Sequence, residues 1–180
     1  MRPKVVVVLV SAVALTACAP VPASDTAAAR ALRASPADDS LRAVVERVGS
    51  EPQTRLIARA ANGTSCALRA DASALLAAAV GLEVTLWGVR TSGAPPMMPG
   101  TSCTFEVRRF AVRAANGVPA VDGIIRTEGS SFVLELASGE RRELRDVPAA
   151  LRSQAGARIF WAGPLNRAPQ AYGILREAPR

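Results

Sequence analysis

Hydrophobic and polar residues alternate with a period of two along several short stretches of this chain, which is the pattern of half-buried β-strands. In one such stretch Phe132, Leu134 and Leu136 would share one face of a strand, with the residues between them on the other. The stretches are separated by glycine-containing dipeptides, such as Asn62-Gly63 and Ser138-Gly139, which favour tight hairpin turns. The pattern therefore predicts a mainly β protein with short strands.

The order of predicted elements occurs twice. Residues 56–71, LIARAANGTSCALRAD, align with residues 132–147, FVLELASGERRELRDV, at a constant offset of 76, and the alignment continues at an offset of 80 before them and 75 after them. Each copy predicts three strands, a short helix and two further strands. The predicted strands are residues 44–48, 55–61, 65–69, 83–89 and 105–113, then 124–127, 132–137, 141–145, 157–162 and 170–175, and the helices are residues 72–80 and 148–155. Residues 114–121 are expected to connect the copies.

This order of strands around one helix resembles the OB-fold, a small five-stranded Greek-key barrel. The resemblance covers residues 41–177 and looks most like the small OB-like domains of unknown function found in bacterial envelope lipoproteins. It implies two tandem barrels, an OB-like domain 1 over residues 41–116 and an OB-like domain 2 over residues 120–177. It rests on topology and patterning, and a single eleven-strand sandwich or another two-layer α+β arrangement is the structural alternative.

The N-terminus has the pattern of a signal peptide. Arg2 and Lys4 precede an apolar run over residues 5–15, which is too short to span a bilayer as a helix. The sequence Leu-Thr-Ala-Cys that follows resembles the lipobox of bacterial lipoproteins, in which the cysteine is lipidated and becomes the first residue after cleavage. We therefore expect a signal peptide over residues 1–17 and a lipid at Cys18, which would hold the protein on a membrane surface.

The segment after the lipidated cysteine is expected to be a flexible tether. Residues 18–40 are rich in Ala, Pro, Ser and Asp and lack periodicity. Ala19, rather than an aspartate, follows the cysteine, which by the sorting rule of such lipoproteins implies the outer membrane, facing the periplasm, if the organism is Gram-negative.

Composition excludes the commonest catalytic and metal-binding chemistries. The chain contains no histidine, so it lacks the base of a Ser-His-Asp triad and the ligands of a histidine metal site. Its three cysteines are too few for a thiolate cluster. Acids such as Glu140 and Glu143 alternate with arginines and predict an ion-paired strand rather than a catalytic carboxylate pair. We expect a non-enzymatic protein without metal or cofactor. Loss of Arg2 and Lys4 on cleavage lowers its formal charge from +7 to +5, which favours acidic partners.

The remaining cysteines, Cys66 and Cys103, are expected to form a disulfide. They are an even number in an oxidising compartment once Cys18 is lipidated. In an OB-like barrel they would lie on the neighbouring third and fifth strands, facing inward. The bond would be worth about 4 kcal/mol in the chain-entropy model. Two buried free thiols are the alternative.

Two features of the first copy suggest a ligand site. The segment 88–102 is long and proline-rich, and it contains Arg90 and the pair Met97 and Met98, which could contact a partner. A plain proline-rich insertion with no partner is the alternative. Trp87 precedes it on the face expected to lie outside the barrel.

The predicted strand over residues 105–113 contains a cluster of basic residues, Arg108, Arg109 and Arg113, of which the first two are further candidates for the ligand site. The inward positions shift between Val107 and Phe110, which predicts a β-bulge at the cluster.

These features favour a binding or assembly module of the cell envelope, whose partner is an envelope protein or an anionic glycan. Surface binding of nucleic acid is the alternative, but the second and third strands lack the exposed aromatic residues on which bases stack. A structural spacer without a specific ligand is a third hypothesis. The sequence does not predict an oligomeric state.

Overall fold

The computed structural model describes residues 38–70, 73–93 and 100–179. The predicted signal peptide, Cys18 and the tether as far as residue 37 lie outside these residues. The described residues all belong to one compact unit. Within them, no helix is long and apolar enough to cross a membrane.

The described residues form ten strands and two short helices, which confirms the prediction of a mainly β chain. Their bounds are β1 Asp39–Val48, β2 Arg55–Arg59, β3 Ser65–Arg69, α1 Ser73–Ala77, β4 Leu82–Ser92, β5 Cys103–Ala115, β6 Val118–Glu128, β7 Ser131–Leu136, β8 Arg141–Leu144, α2 Ala149–Arg152, β9 Arg158–Ala162 and β10 Ala171–Arg176. The helices span 5 and 4 residues, shorter than predicted. β1 begins at Asp39, inside the segment that the sequence assigned to the tether.

Among the first five strands, each pairs with two of the other four. β1 pairs with β2 and β4, and β2 pairs with β3, all antiparallel. β3 pairs with β5 in parallel, and β5 returns antiparallel to β4. The pairings therefore run in the cyclic order β1-β2-β3-β5-β4 and back to β1.

The second five strands repeat this order up to its last step. β6 pairs with β7 and β9, β7 with β8, and β9 with β10. Residues that align in sequence also occupy the same register positions. Val48 lies opposite Arg55 in the first copy, and the residues aligned with them, Glu128 and Ser131, lie opposite each other in the second. No β8–β10 pairing is formed in the described residues, although Arg145 N–H donates to the carbonyl of Leu165 at 2.9 Å beyond the end of β8.

The prediction that residues 114–121 form a connection between the copies is wrong. β5 extends to Ala115 and β6 starts at Val118, and these two residues pair across a two-residue turn. Asn116 and Gly117 both have positive φ, 51° and 77°, which is the geometry that an Asn-Gly hairpin favours. The dipeptide was present in the sequence, but its flanks are rich in Ala and Val and lack clear alternation.

Two large apolar clusters form most of the core, and a small third one contains Ile57 and Ala67. The larger lies among the first five strands around Phe105 and Leu86, and it also includes Leu175 from β10. The smaller lies among β6–β9 around Trp161 and Ile125. Because the larger cluster includes residues of both copies, the two halves of the chain are packed against each other.

The predicted disulfide between Cys66 and Cys103 is confirmed. The two residues are direct register partners in the parallel β3–β5 pair, with Cα atoms 4.5 Å apart, and both are buried. The disulfide thus joins β3 and β5, whose pairing is one step of the cyclic order of the first copy. The corresponding pair in the second copy has neither the bond nor the strand pairing.

Candidate anion-binding surface

The predicted bulge is confirmed, and it determines how the basic cluster is arranged. Trp87 of β4 lies opposite Arg109 of β5, while the next residue, Gly88, lies opposite Val107, so Arg108 is the extra residue. The strands approach so closely here that a Cβ atom at Gly88 would stand 1.8 Å from the carbonyl oxygen of Glu106. Gly88 is therefore required by the backbone geometry of the bulge.

Two arginines pack on the indole ring of Trp87. The guanidinium carbon of Arg109 is 4.2 Å from the ring centroid and that of Arg113 is 5.7 Å from it, both within the range of cation–π attraction. Arg113 Nε also donates a hydrogen bond to Thr85 Oγ1 at 2.8 Å. Trp87 is half-buried and both arginines are exposed. These three residues are called the Trp87 cluster below.

The Trp87 cluster has an uncompensated positive charge. In the part of the chain that the structure describes, neither Arg109 nor Arg113 has a carboxylate oxygen within 4.0 Å. Arg108 differs, because its Nη1 donates to Asp38 Oδ1 at 2.8 Å. Two guanidinium groups on one ring repel each other, and an anion placed between them would relieve that repulsion.

A concavity of about 750 Å³ opens beside the Trp87 cluster. One wall is the segment of β5 from Arg109 to Arg113. The opposite wall includes Gly123 of β6 and the turn after β7, with Ala137 and Ser138. Its size falls in the range of small-ligand sites. Besides the two arginines of the Trp87 cluster, the charged residues Asp122, Glu135 and Arg158 line it.

A largely buried ion pair between Arg158 and Asp122 also lines this concavity. Arg158 Nε and Nη2 donate to Asp122 Oδ2 at 2.8 and 2.6 Å, and the Asp122 side chain is only 7% exposed. Asp122 Oδ1 accepts from the backbone N–H of Val112 at 2.6 Å, and Arg158 Nη2 also donates to the carbonyl of Phe110 at 2.7 Å. β5 and β6 pair as strands only beside the Asn116-Gly117 turn. The bonds of Asp122 and Arg158 link the two strands beyond that point. The charge of Arg158 is thus balanced by Asp122, whereas the arginines of the Trp87 cluster have no carboxylate partner among the described residues.

The other residues predicted for the site are placed differently. The backbone N–H of Arg90 donates a hydrogen bond to Asp39 Oδ2 at 3.0 Å. This bond links the end of β4 to the start of β1. Arg108 is engaged by Asp38. Met97 and Met98 lie outside the described residues, so the role of the long loop stays a prediction. Trp87 and Arg109 are the predicted pair that the structure brings together.

Sequence reasoning did not find Asp122 and Arg158. They are 36 positions apart, and Asp122 falls just past the expected connection. A single acid within the apolar run of residues 118–125 was the available sign, since buried carboxylates are normally paired.

Glu140 and Glu143 of the second copy are ion-paired at the surface, as predicted. Arg142 Nε donates to Glu140 Oε1 at 2.8 Å, and Arg141 Nη1 donates to Glu128 Oε1 at 2.9 Å. The hydrogen bond from Arg142 holds the pKa of Glu140 below its ordinary value. In the described ranges no three His, Cys, Asp or Glu side chains are placed to hold a metal ion.

No protein-family model, curated protein or solved structure matches this chain. A function for the Trp87 cluster must therefore be argued from its geometry and charge. Two guanidinium groups supply hydrogen-bond donors and no acceptor, so the chemistry available at the cluster is recognition of an anionic group.

Proposed function

We propose that this chain is a non-enzymatic, lipid-anchored binding module of the cell envelope that recognises an anionic partner at the Trp87 cluster. The observation on which the proposal depends is the pair of arginines on one indole ring, neither of which has a carboxylate oxygen within 4.0 Å among the described residues. The guanidinium groups would bind sulfate, phosphate or carboxylate groups of the partner. An anionic glycan or an acidic segment of an envelope protein has this chemistry.

We further propose that the module consists of two tandem OB-like barrels. The cyclic pairing order of β1–β5, with one helix between β3 and β4, supports this for the first copy. The matching registers of β6–β10 support it for the second, in which the last pairing of the cycle is missing. The lipid at Cys18 and the outer-membrane location are proposed from the N-terminal sequence alone.

Nucleic acid is the alternative partner, and the arrangement of the cluster favours it less. Base stacking requires an accessible aromatic face, whereas the guanidinium group of Arg109 lies over the ring of Trp87.

Binding of the full chain to immobilised dextran sulfate, with neutral dextran as a blank, tests the proposal. R109Q/R113Q removes two charges from the cluster and should weaken binding about tenfold or more, which corresponds to about 1.4 kcal/mol. R59Q/R145Q is the matched control, because it removes the same charge from arginines that are already paired with carboxylates and do not line the concavity. Equal losses in both variants would contradict the proposal. A single-stranded oligonucleotide that binds more tightly than dextran sulfate would favour the alternative.

A further inference from the structure

A second cavity, of about 490 Å³, lies between the strands β1–β3 and helix α1. Its apolar surface includes Leu56 of β2, Leu68 of β3 and Leu76 of α1. The space exists because the other apolar residues that line it have the smallest side chain, namely Ala67, Ala70, Ala74 and Ala77. An apolar cavity of this size can hold one small ligand.

Three exposed arginines, Arg47, Arg55 and Arg69, also line this cavity. None of them has a carboxylate oxygen within 4.0 Å in the described part of the chain, whereas most arginines elsewhere in the sheet are ion-paired. Glu106 is the register partner of Arg69 on β5, yet it does not come within this distance. The cavity therefore combines an apolar surface with concentrated positive charge.

The second copy of the repeat does not preserve this combination. The positions aligned with Arg47 and Arg55 are occupied by the uncharged Thr127 and Ser131. The third aligned position is Arg145, whose Nη2 lies 3.7 Å from Glu143 Oε2. The two copies share their strand registers, so the unpaired charge belongs to the sequence of the first copy and is not a consequence of the fold.

We propose that this cavity binds a small anionic amphiphile. The apolar part of the ligand would lie against the three leucines, and a carboxylate or phosphate head group would be held by the three arginines. Guanidinium groups suit both head groups, because their paired donors match two oxygens at once. An apolar chain without a head group would leave the arginine charges uncompensated, and a free anion would leave the apolar lining of the cavity uncovered.

Calorimetric titration of the full chain with dodecyl phosphate and with dodecanoate, below their micelle concentrations, tests this site. Binding should weaken about tenfold or more in R47Q/R55Q, which removes charge, and in A77L, which fills the cavity without changing charge. R126Q/R141Q is the charge-matched control and should bind as the native chain does. Thermal unfolding of each variant checks that it is folded.

The preferred head group identifies the class of natural ligand. Tighter binding of dodecyl phosphate indicates a phospholipid-like ligand, and tighter binding of dodecanoate indicates a fatty acid. Failure of both to bind, or equal binding to the native chain and R47Q/R55Q, would overturn the proposal. Inorganic phosphate that competes as well as dodecyl phosphate would also overturn it, since the leucines would then contribute nothing. R109Q/R113Q should leave the titration unchanged, which makes this outcome independent of the Trp87 cluster.

Discussion

Replacing Gly88 with alanine should destabilise the first five strands and disturb the Trp87 cluster at the same time. The added Cβ would lie 1.8 Å from the carbonyl oxygen of Glu106 and 3.2 Å from the backbone nitrogen of Arg108. Real Cβ atoms essentially never approach another atom more closely than 3.0 Å, so β4 and β5 must separate by more than about 1 Å at the bulge. The obstructing atoms belong to the backbone, so no side-chain rotation relieves the contact.

The expected loss of stability is about 3 kcal/mol, at the upper end of the range for overpacked sites, because the displaced strands are held by their hydrogen bonds and the disulfide. Urea unfolding of the oxidised chain measures it. With a slope of about 1–3 kcal/mol per molar urea, the midpoint should fall by about 1–3 M. Arg109 lies opposite Trp87 in the next register pair, so dextran sulfate binding should weaken as well.

Gly129→Ala is the matched control. Its φ is +61°, and a Cβ there would meet no atom within 4 Å, so only the left-handed conformation is penalised, by about 1 kcal/mol. If Gly88→Ala were no more destabilising than Gly129→Ala, the close approach of β4 and β5 would not exist in solution and the account of the bulge would be wrong.

Three further predictions concern the disulfide and two ion pairs. The double substitution of Cys66 and Cys103 by alanine should lower the unfolding free energy by about 4 kcal/mol, measured by urea unfolding against the native chain under oxidising conditions. Asp122→Asn leaves the partly buried Arg158 without its counter-charge and should cost about 3 kcal/mol, the lower end of the range for a broken buried pair, in the same assay. NMR titration should show the pKa of Glu140 below its ordinary value and back at that value in R142Q. Because the folded-state pKa is lowered, the stabilisation from this pair is present above the unfolded-state pKa and is lost as the pH falls through the folded-state pKa.

Local patterns were sufficient to predict most strands, because alternation and glycine turns depend on neighbouring residues. Ser65–Arg69 was predicted with its exact observed bounds, and the turn at Gly63 forms as expected, with φ of +83°. The hairpin at Asn116-Gly117 was missed because a connection was expected there, although the dipeptide itself favours such a turn. The short helices were overestimated, since alanine-rich segments have high helix propensity whether or not they are packed.

The candidate site could be predicted only in part, because its chemistry depends on which side chains meet across strands. Trp87 and Arg109 were both proposed from the sequence, but their contact requires the register that the bulge imposes. Whether an arginine is free or paired also depends on register: Arg108 meets Asp38, while Arg109 meets no acid in the described residues. The cavity lined by Arg47 and Arg55 has no local signature for the same reason.

The most direct test of the proposed function is photocrosslinking in intact envelopes, with a diazirine side chain placed at Ala137 or, as control, at Ala61. The two alanines are aligned positions beside equivalent hairpin turns, and both are exposed, but only Ala137 lines the concavity next to the Trp87 cluster. We predict a discrete adduct from position 137 that is absent from position 61 and disappears in R109Q/R113Q. The same adducts from both positions, or an adduct that persists in R109Q/R113Q, would contradict the account.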